Sequence, residues 1–300
     1  MKIAETHEHI VTVLGDAGIE DAESEARIIL RESAGLSSTD IHMRHDDEID
    51  RAVSEQITDI IKRRLMREPL QYIYGRWDFM GLVFSVKPGV LIPRPDTEIL
   101  VETALRELHD GMKILDLCTG TGCILISLLK YSNDCEGVGV DISQEALALA
   151  KQNAAEILGE AGAGSLTGVW PADSEAGSSR YAFLQGDLYE ALDDGRFDII
   201  VSNPPYIPAR VIDTLAPEVK DYEPHLALDG GDDGLDIIRR IIDGSSDHLV
   251  RGGLLFLEIG YDQGESVSAL MRGAGFTDVE VIQDYAGLDR VVSGRLPIKI

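Results

Sequence analysis

The sequence is poor in cysteine, in positive charge and in long apolar runs, and each shortage excludes something. Its three cysteines, Cys118, Cys123 and Cys135, are odd in number and lack Cys-x-x-Cys spacing, which excludes a disulfide framework and fits reduced core thiols in a cytoplasmic protein. The seven histidines are scattered without ligand spacing, so no metal is expected. Lys and Arg number 27 against 53 Asp and Glu, a formal charge of -26. Nonspecific nucleic-acid binding needs cations that neutralise phosphates, so this balance opposes direct binding of DNA, and of anionic lipid alike. Residues 62–67 can still form a local basic patch. No apolar run approaches the roughly 18 residues of a membrane span. The first ten residues carry Glu5 and Glu8 where a signal peptide would be apolar. No internal repeat is visible.

What is present is ordinary globular material: 44% apolar and 27% charged residues over a 300-residue length that favours two domains. Residues 2–68 read as helical, punctuated by Gly15, Gly18 and Gly35. Val53, Ile57, Ile60, Ile61 and Leu65 form one apolar stripe that ends before Pro69. Nothing there points to chemistry, so a helical domain over 1–70 is expected to serve packing or partner recognition. A hairpin around Gly81 and a stiff Pro-rich segment make 71–95 a connecting stretch, with Asp96 or Thr97 expected to cap the next helix. Residues 96–300 alternate strands and helices, the pattern of a largely parallel sheet.

The polar residues of this second domain collect where strands end, which is where open α/β sheets bind ligands. Strand 113–117 runs into Cys118, Thr119, Gly120, Thr121 and Gly122 and then a helix, so backbone N–H groups can approach a ligand closely. The Gly-x-Gly-x-x-Gly spacing of a nicotinamide site is missing. Strand 137–140 ends at Asp141, suited to ribose hydroxyls, and strand 181–185 ends near Asp187 and Leu188, where Asp187 can accept from a purine amino group. Strand 197–201 ends in Asn203-Pro204-Pro205-Tyr206. Two prolines stop any regular element there, leaving the Asn203 side-chain carbonyl and the Pro204 backbone carbonyl as acceptors for a planar NH2 group, beside a flat tyrosine ring. Between the second and third of these strands, residues 159–180 are rich in Gly, Ala and Ser and read as a peripheral insertion.

In this order, a glycine loop, a strand-end acid, Gly-Asp and Asn-Pro-Pro-Tyr resemble a class I S-adenosylmethionine-dependent methyltransferase with a Rossmann-like sheet. Residues 91–98, 114–122, 201–206, 222–235 and 257–260 resemble more narrowly the HemK/PrmC family, which methylates the glutamine of the Gly-Gly-Gln motif in peptide chain release factors. The resemblance implies a small N-terminal helical bundle, a linking β-hairpin and S-adenosyl-L-methionine as cofactor. It implies that Cys118 to Gly122 wraps the cofactor, that Asp141 holds its ribose, that Asp187 and Leu188 border its adenine, and that Asn203, Pro204, Pro205 and Tyr206 hold the substrate glutamine. Asn203 would also border the cofactor. Two departures stand out: Cys118 occupies a position where the family usually has glycine, and the 159–180 insertion is longer than usual.

An amide nitrogen is a poor nucleophile because its lone pair is delocalised into the carbonyl. The motif therefore implies catalysis by orientation and by dispersal of developing charge, with no strong base required. Two other readings stay open at this level. One is an adenine-amino methyltransferase of nucleic acid, which the charge opposes. The other is a noncatalytic cofactor-binding scaffold.

Overall fold

The computed structural model describes residues 1–159 and 180–298, so the expected insertion, Trp170 included, lies outside the described residues save for its two ends. The chain divides into two compact units, Met1–Tyr74 and Gly75–Ile300. The first extends beyond the residue 70 expected, because α5 (Leu70–Tyr74) packs Ile73 and Tyr74 as well as Leu70 against its core.

That first unit contains α1 (Ile3–Asp16), α2 (Ala22–Ala34), α3 (Ser38–Met43) and α4 (Arg51–Leu65) before α5. Ile10 and Leu14 of α1, Ile29 and Leu30 of α2, and Ile57, Ile60 and Ile61 of α4 meet in one core, as i, i+3, i+4 spacing dictates. Gly35, at φ 66°, ends α2, and Ser37 opens α3 in a capping box with Asp40. The expected stripe on α4 differs at its end: Leu65 is exposed and Arg64 is buried, its guanidinium donating twice to Glu25 at 2.7 and 3.0 Å. Lys62 pairs with Asp59 and Arg63 with Glu68, so with Arg64 three cations of the basic run are matched by carboxylates, while Arg67 donates to the Ala17 and Gly18 carbonyls.

The second unit opens with the hairpin β1 (Arg76–Phe79) and β2 (Leu82–Ser85), whose turn residues Met80 and Gly81 both have positive φ, as a tight hairpin turn requires. There follow α6 (Glu98–Glu107), β3 (Lys113–Leu117), α7 (Cys123–Tyr131), β4 (Glu136–Asp141), α8 (Gln144–Leu158), β5 (Tyr181–Gln185) and β6 (Phe197–Ser202). One-turn helices α9 (Ala209–Ile212) and α10 (Pro217–Lys220) precede α11 (Asp236–His248), β7 (Leu249–Glu258), α12 (Gly264–Gly273), β8 (Thr277–Gln283) and β9 (Asp289–Arg295). The seven-stranded sheet has the order β5-β4-β3-β6-β7-β9-β8, parallel from β5 to β7 and antiparallel at β9 and β8.

Alternation along β6 shows how the sheet is buried on both faces. Ile199 and Val201 pack on the side of α6 and α7, whereas Ile200 packs with Ile238, Ile241 and Val267 of α11 and α12. Strand order reverses between β3 and β6, and the crevice at such a switch point is where an α/β sheet can admit a ligand.

Candidate active site

The glycine loop leaves β3 through Asp116, which is fully buried and accepts a 2.6 Å bond from the Thr119 hydroxyl. Its other oxygen, Oδ1, is buried without a partner, and burial pushes the carboxyl up to about 7. Cys118 adopts φ 60°, a left-handed conformation that glycine takes with least strain, while its side chain packs against the core cluster beneath the sheet's end. Burial raises its pKa, which keeps the thiol protonated. Gly122 is required by space as well as by its φ of 79°, because a Cβ there would lie 2.9 Å from Ile126 and 3.1 Å from Ala150.

Asp141 ties this loop to the end of β4. Its Oδ2 accepts from the Gly120 N–H at 2.8 Å and its Oδ1 from the Ser143 N–H at 2.8 Å. Burial raises its pKa and these backbone donors oppose the rise. Each oxygen keeps acceptor capacity for a further hydroxyl. Asp187, at the end of β5, pairs with Arg240 of α11 at 2.9 Å. Leu188 beside it has φ 53°.

Past β6, Asn203 donates from Nδ2 to the Thr97 hydroxyl at 3.2 Å. That leaves Oδ1 as the end of the amide able to accept from a ligand. Thr97 is buried, and its side chain does not cap α6; that expected role falls away because the hydroxyl is engaged with Asn203. Asp96 does not cap α6 either and pairs with Arg290 at 3.2 Å. The Tyr206 hydroxyl donates to Glu258 Oε1 at 3.2 Å, and Glu258 is buried at the end of β7. The prolines' loop is held from outside by the segment between β6 and α11. Ile207 N–H donates to the Leu228 carbonyl and Gly230 N–H to the Ile207 carbonyl, while Gln263 donates to the Tyr206 carbonyl.

These elements surround a cavity of about 340 Å³. Of the expected residues, Cys118, Thr119, Gly120, Thr121, Asp141, Asp187, Leu188, Asn203 and Pro205 border it; Gly122, Pro204 and Tyr206 are not part of its lining. Sequence reasoning gave no role to Arg240, to Val90 and Ile92 of the Pro-rich segment, or to Arg94, which borders the cavity and pairs with buried Glu223 at 2.6 Å. Thr97, expected only as a helix cap, and Glu258 were given no part in the site either. The only signal available for them was their presence in stretches shared with a known family.

A parallel sheet reversing at β3 and β6, a glycine loop at that switch point and an acid ending the next strand define a class I methyltransferase. Two curated relatives named release factor glutamine methyltransferase carry the comparison further: that of Geobacter sulfurreducens is 40% identical over 94% of this chain and 93% of its own length, and that of Caulobacter vibrioides 41% identical over 94% and 92%. The chain belongs to the release factor glutamine methyltransferase family. The PrmC N-terminal domain model matches residues 5–75 and a methyltransferase domain model residues 108–158. A methyltransferase structure from Pyrococcus furiosus, 17% identical, shares the fold with a TM-score of 0.53 over 79% of this chain and 98% of that one. Among the described residues, no helix is long and apolar enough to cross a membrane.

Proposed function

We propose that this chain methylates the side-chain amide nitrogen of the glutamine in the Gly-Gly-Gln motif of peptide chain release factors, using S-adenosyl-L-methionine. The observation that carries the reading is Asn203: its NH2 end is tied to Thr97, so its carbonyl end is the one offered to the cavity it borders. A side-chain amide that presents only its oxygen selects a substrate NH2. The cavity fits the cofactor, since the Asp141 oxygens retain acceptor sites for ribose hydroxyls and Asp187, Leu188 and the apolar Val90 and Ile92 offer surroundings for an adenine. When bound, S-adenosylmethionine supplies an electrophilic methyl group.

The chain's own residues then have separable tasks. Asn203 Oδ1 and the Pro204 carbonyl accept from the substrate NH2, orienting its nitrogen and dispersing the positive charge that develops there. Pro205 and Tyr206 keep the loop rigid around the amide. The helical unit recognises the body of the release factor, which the acidic total favours over a phosphate backbone. Release factors work in the cytoplasm during translation termination, and the reaction belongs there.

Mass spectrometry of an intact release factor incubated with the protein and S-adenosylmethionine is the direct test. The Gly-Gly-Gln peptide should gain one methyl group, and DNA in a parallel reaction should gain none. Asn203→Ala should lower turnover by about 10²- to 10³-fold, the effect of losing one preorganised group. Methylated adenine together with an unmodified glutamine would replace this reading with the nucleic-acid one.

A further inference from the structure

Behind Asn203 lies a buried chain of polar groups to which the family comparison assigns nothing. Thr97 is 2% exposed and Glu258 1% exposed, and they come from the start of α6 and the end of β7. Glu258 Oε1 accepts from the Tyr206 hydroxyl, and Oε2 is buried with no donor seated on it. The neutral donor beside this carboxylate is the Thr97 hydroxyl, whose interaction favours the ionised form. The same Thr97 oxygen takes the Asn203 Nδ2–H.

We infer that Thr97 and Glu258 are positioning residues that fix which end of the Asn203 amide faces the substrate. The inference rests on the proposed role of Asn203. An ionised carboxylate only accepts hydrogen bonds. Thr97 accepts from the Asn203 Nδ2–H, so its single proton is free for the carboxylate beside it, whose Oε2 lacks a donor; with that proton turned to Glu258, Thr97 can only accept from Asn203, which presents NH2 to Thr97 and Oδ1 to the cavity. A protonated Glu258 can instead donate to Thr97. That frees the hydroxyl to donate to Asn203, and the amide can then rotate so that its NH2 faces the substrate NH2. Donor would meet donor, and the oriented acceptor would be lost.

Protonation of Glu258 is governed by the groups around it. Burial raises its pKa to about 7; Arg290 on β9 and the Thr97 and Tyr206 hydroxyls oppose that rise, and Asp96 adds to it. Arg290 is itself shared with Asp284 and Asp96. The Cys123 thiol at the start of α7 feels the Glu258 charge, and Arg94 acts on Tyr206 from the Pro-rich segment. The competent, ionised state therefore declines as pH falls through about 7.

The test compares Thr97→Val, Thr97→Ser and Glu258→Gln with the wild-type protein, measuring kcat and KM for an intact release factor and Kd for S-adenosylmethionine. Thr97→Val should lower kcat by about 10- to 100-fold with cofactor affinity nearly unchanged, and Thr97→Ser should restore most of it. The acid limb of the wild-type kcat profile should vanish in Glu258→Gln. Equal loss in Thr97→Ser and Thr97→Val, or an unaltered acid limb in Glu258→Gln, would overturn the inference. A readout without substrate keeps it separate from the functional reading: the Asn203 side-chain NH2 resonance, recognised by its disappearance in Asn203→Ala, should move with pH near 7 in the wild type and not in Thr97→Val. A resonance insensitive to pH overturns the positioning role whatever the protein methylates. Failure of the wild type to label glutamine, with the resonance responding as expected, removes only the functional reading.

Discussion

At the scale of single residues, Asp141 shows how one side chain joins binding to architecture. As an acid ending a strand it was visible in the sequence, but its two backbone partners, Gly120 N–H and Ser143 N–H, were not. The first lies 21 positions away and meets it only because β3 and β4 pair in parallel register. Asp141→Ala removes a charged acceptor from the cofactor cavity and the anchor of the glycine loop together. Charge-assisted hydrogen bonds contribute about 1.5–3 kcal/mol, so cofactor affinity should fall about tenfold or more. Titration calorimetry is the measurement, and Asp141→Asn, which keeps an acceptor without the charge, should lie between. Equal affinity in all three proteins would move the ribose site elsewhere. Thr97 and Glu258 illustrate the opposite limit of legibility. They are 106 and 55 positions from Asn203 (203 minus 97, and 258 minus 203) in the sequence, and no local pattern links a threonine near a helix start to a glutamate at a strand end.

Elements were easier to read than their contacts. Most strands and helices of the second unit carry their own apolar period and turn residues, and the four strand-end motifs fall at successive parallel strands as expected. The start of β7 was hidden, because Gly252 and Gly253 interrupt a strand that runs on from Leu249. The segment between β6 and α11 contains α9 and α10 and returns to buttress the Asn-Pro-Pro-Tyr loop through the paired Ile207 and Asp229. Gly230 sits where these two stretches cross: a Cβ there would fall 2.7 Å from the Gly234 carbonyl oxygen and 2.8 Å from that of Pro205. Both are backbone atoms and cannot rotate aside. Gly230→Ala should therefore displace the Pro205 backbone and with it the substrate acceptors, lowering kcat by about 10- to 100-fold, since small misplacements of positioned groups cost that much. S-adenosylmethionine affinity, which depends on the loops after β3 and β4, should change far less. A variant with wild-type turnover would show that this segment does not hold the loop.

Across the whole molecule, acidity acts at two levels. The charge of -26 resides largely on surface carboxylates, whose mutual repulsion salt can screen, so moderate salt should raise the melting temperature at any pH near neutrality. Inside, Asp116 and Glu258 are carried by burial to about 7, above their ordinary values of 3.8 and 4.5. Their folded-state pKa values are raised, so between the ordinary values and 7 the folded chain holds protons that the unfolded chain has released. Their contribution to stability must then fall as pH rises from about 4 through 7, and the loss is complete above that range. Asp116→Asn keeps an acceptor for Thr119 and removes one titrating group. Its melting temperature should lie closest to the wild type's near pH 4, gain on it steadily as the pH rises from there, and keep a constant lead above about 7. Calorimetric melts across that range, repeated at two salt concentrations, distinguish the two levels: salt should shift both curves together, and only the substitution should change their slope. Parallel curves would mean that Asp116 titrates at its ordinary pKa. For Glu258 the same ionisation that weakens the fold is the one that turns Asn203 toward its substrate. Raising the pH toward neutrality should therefore trade stability for turnover, and Glu258→Gln should lose the acid limb of turnover together with its own share of the stability slope, leaving the share that belongs to Asp116.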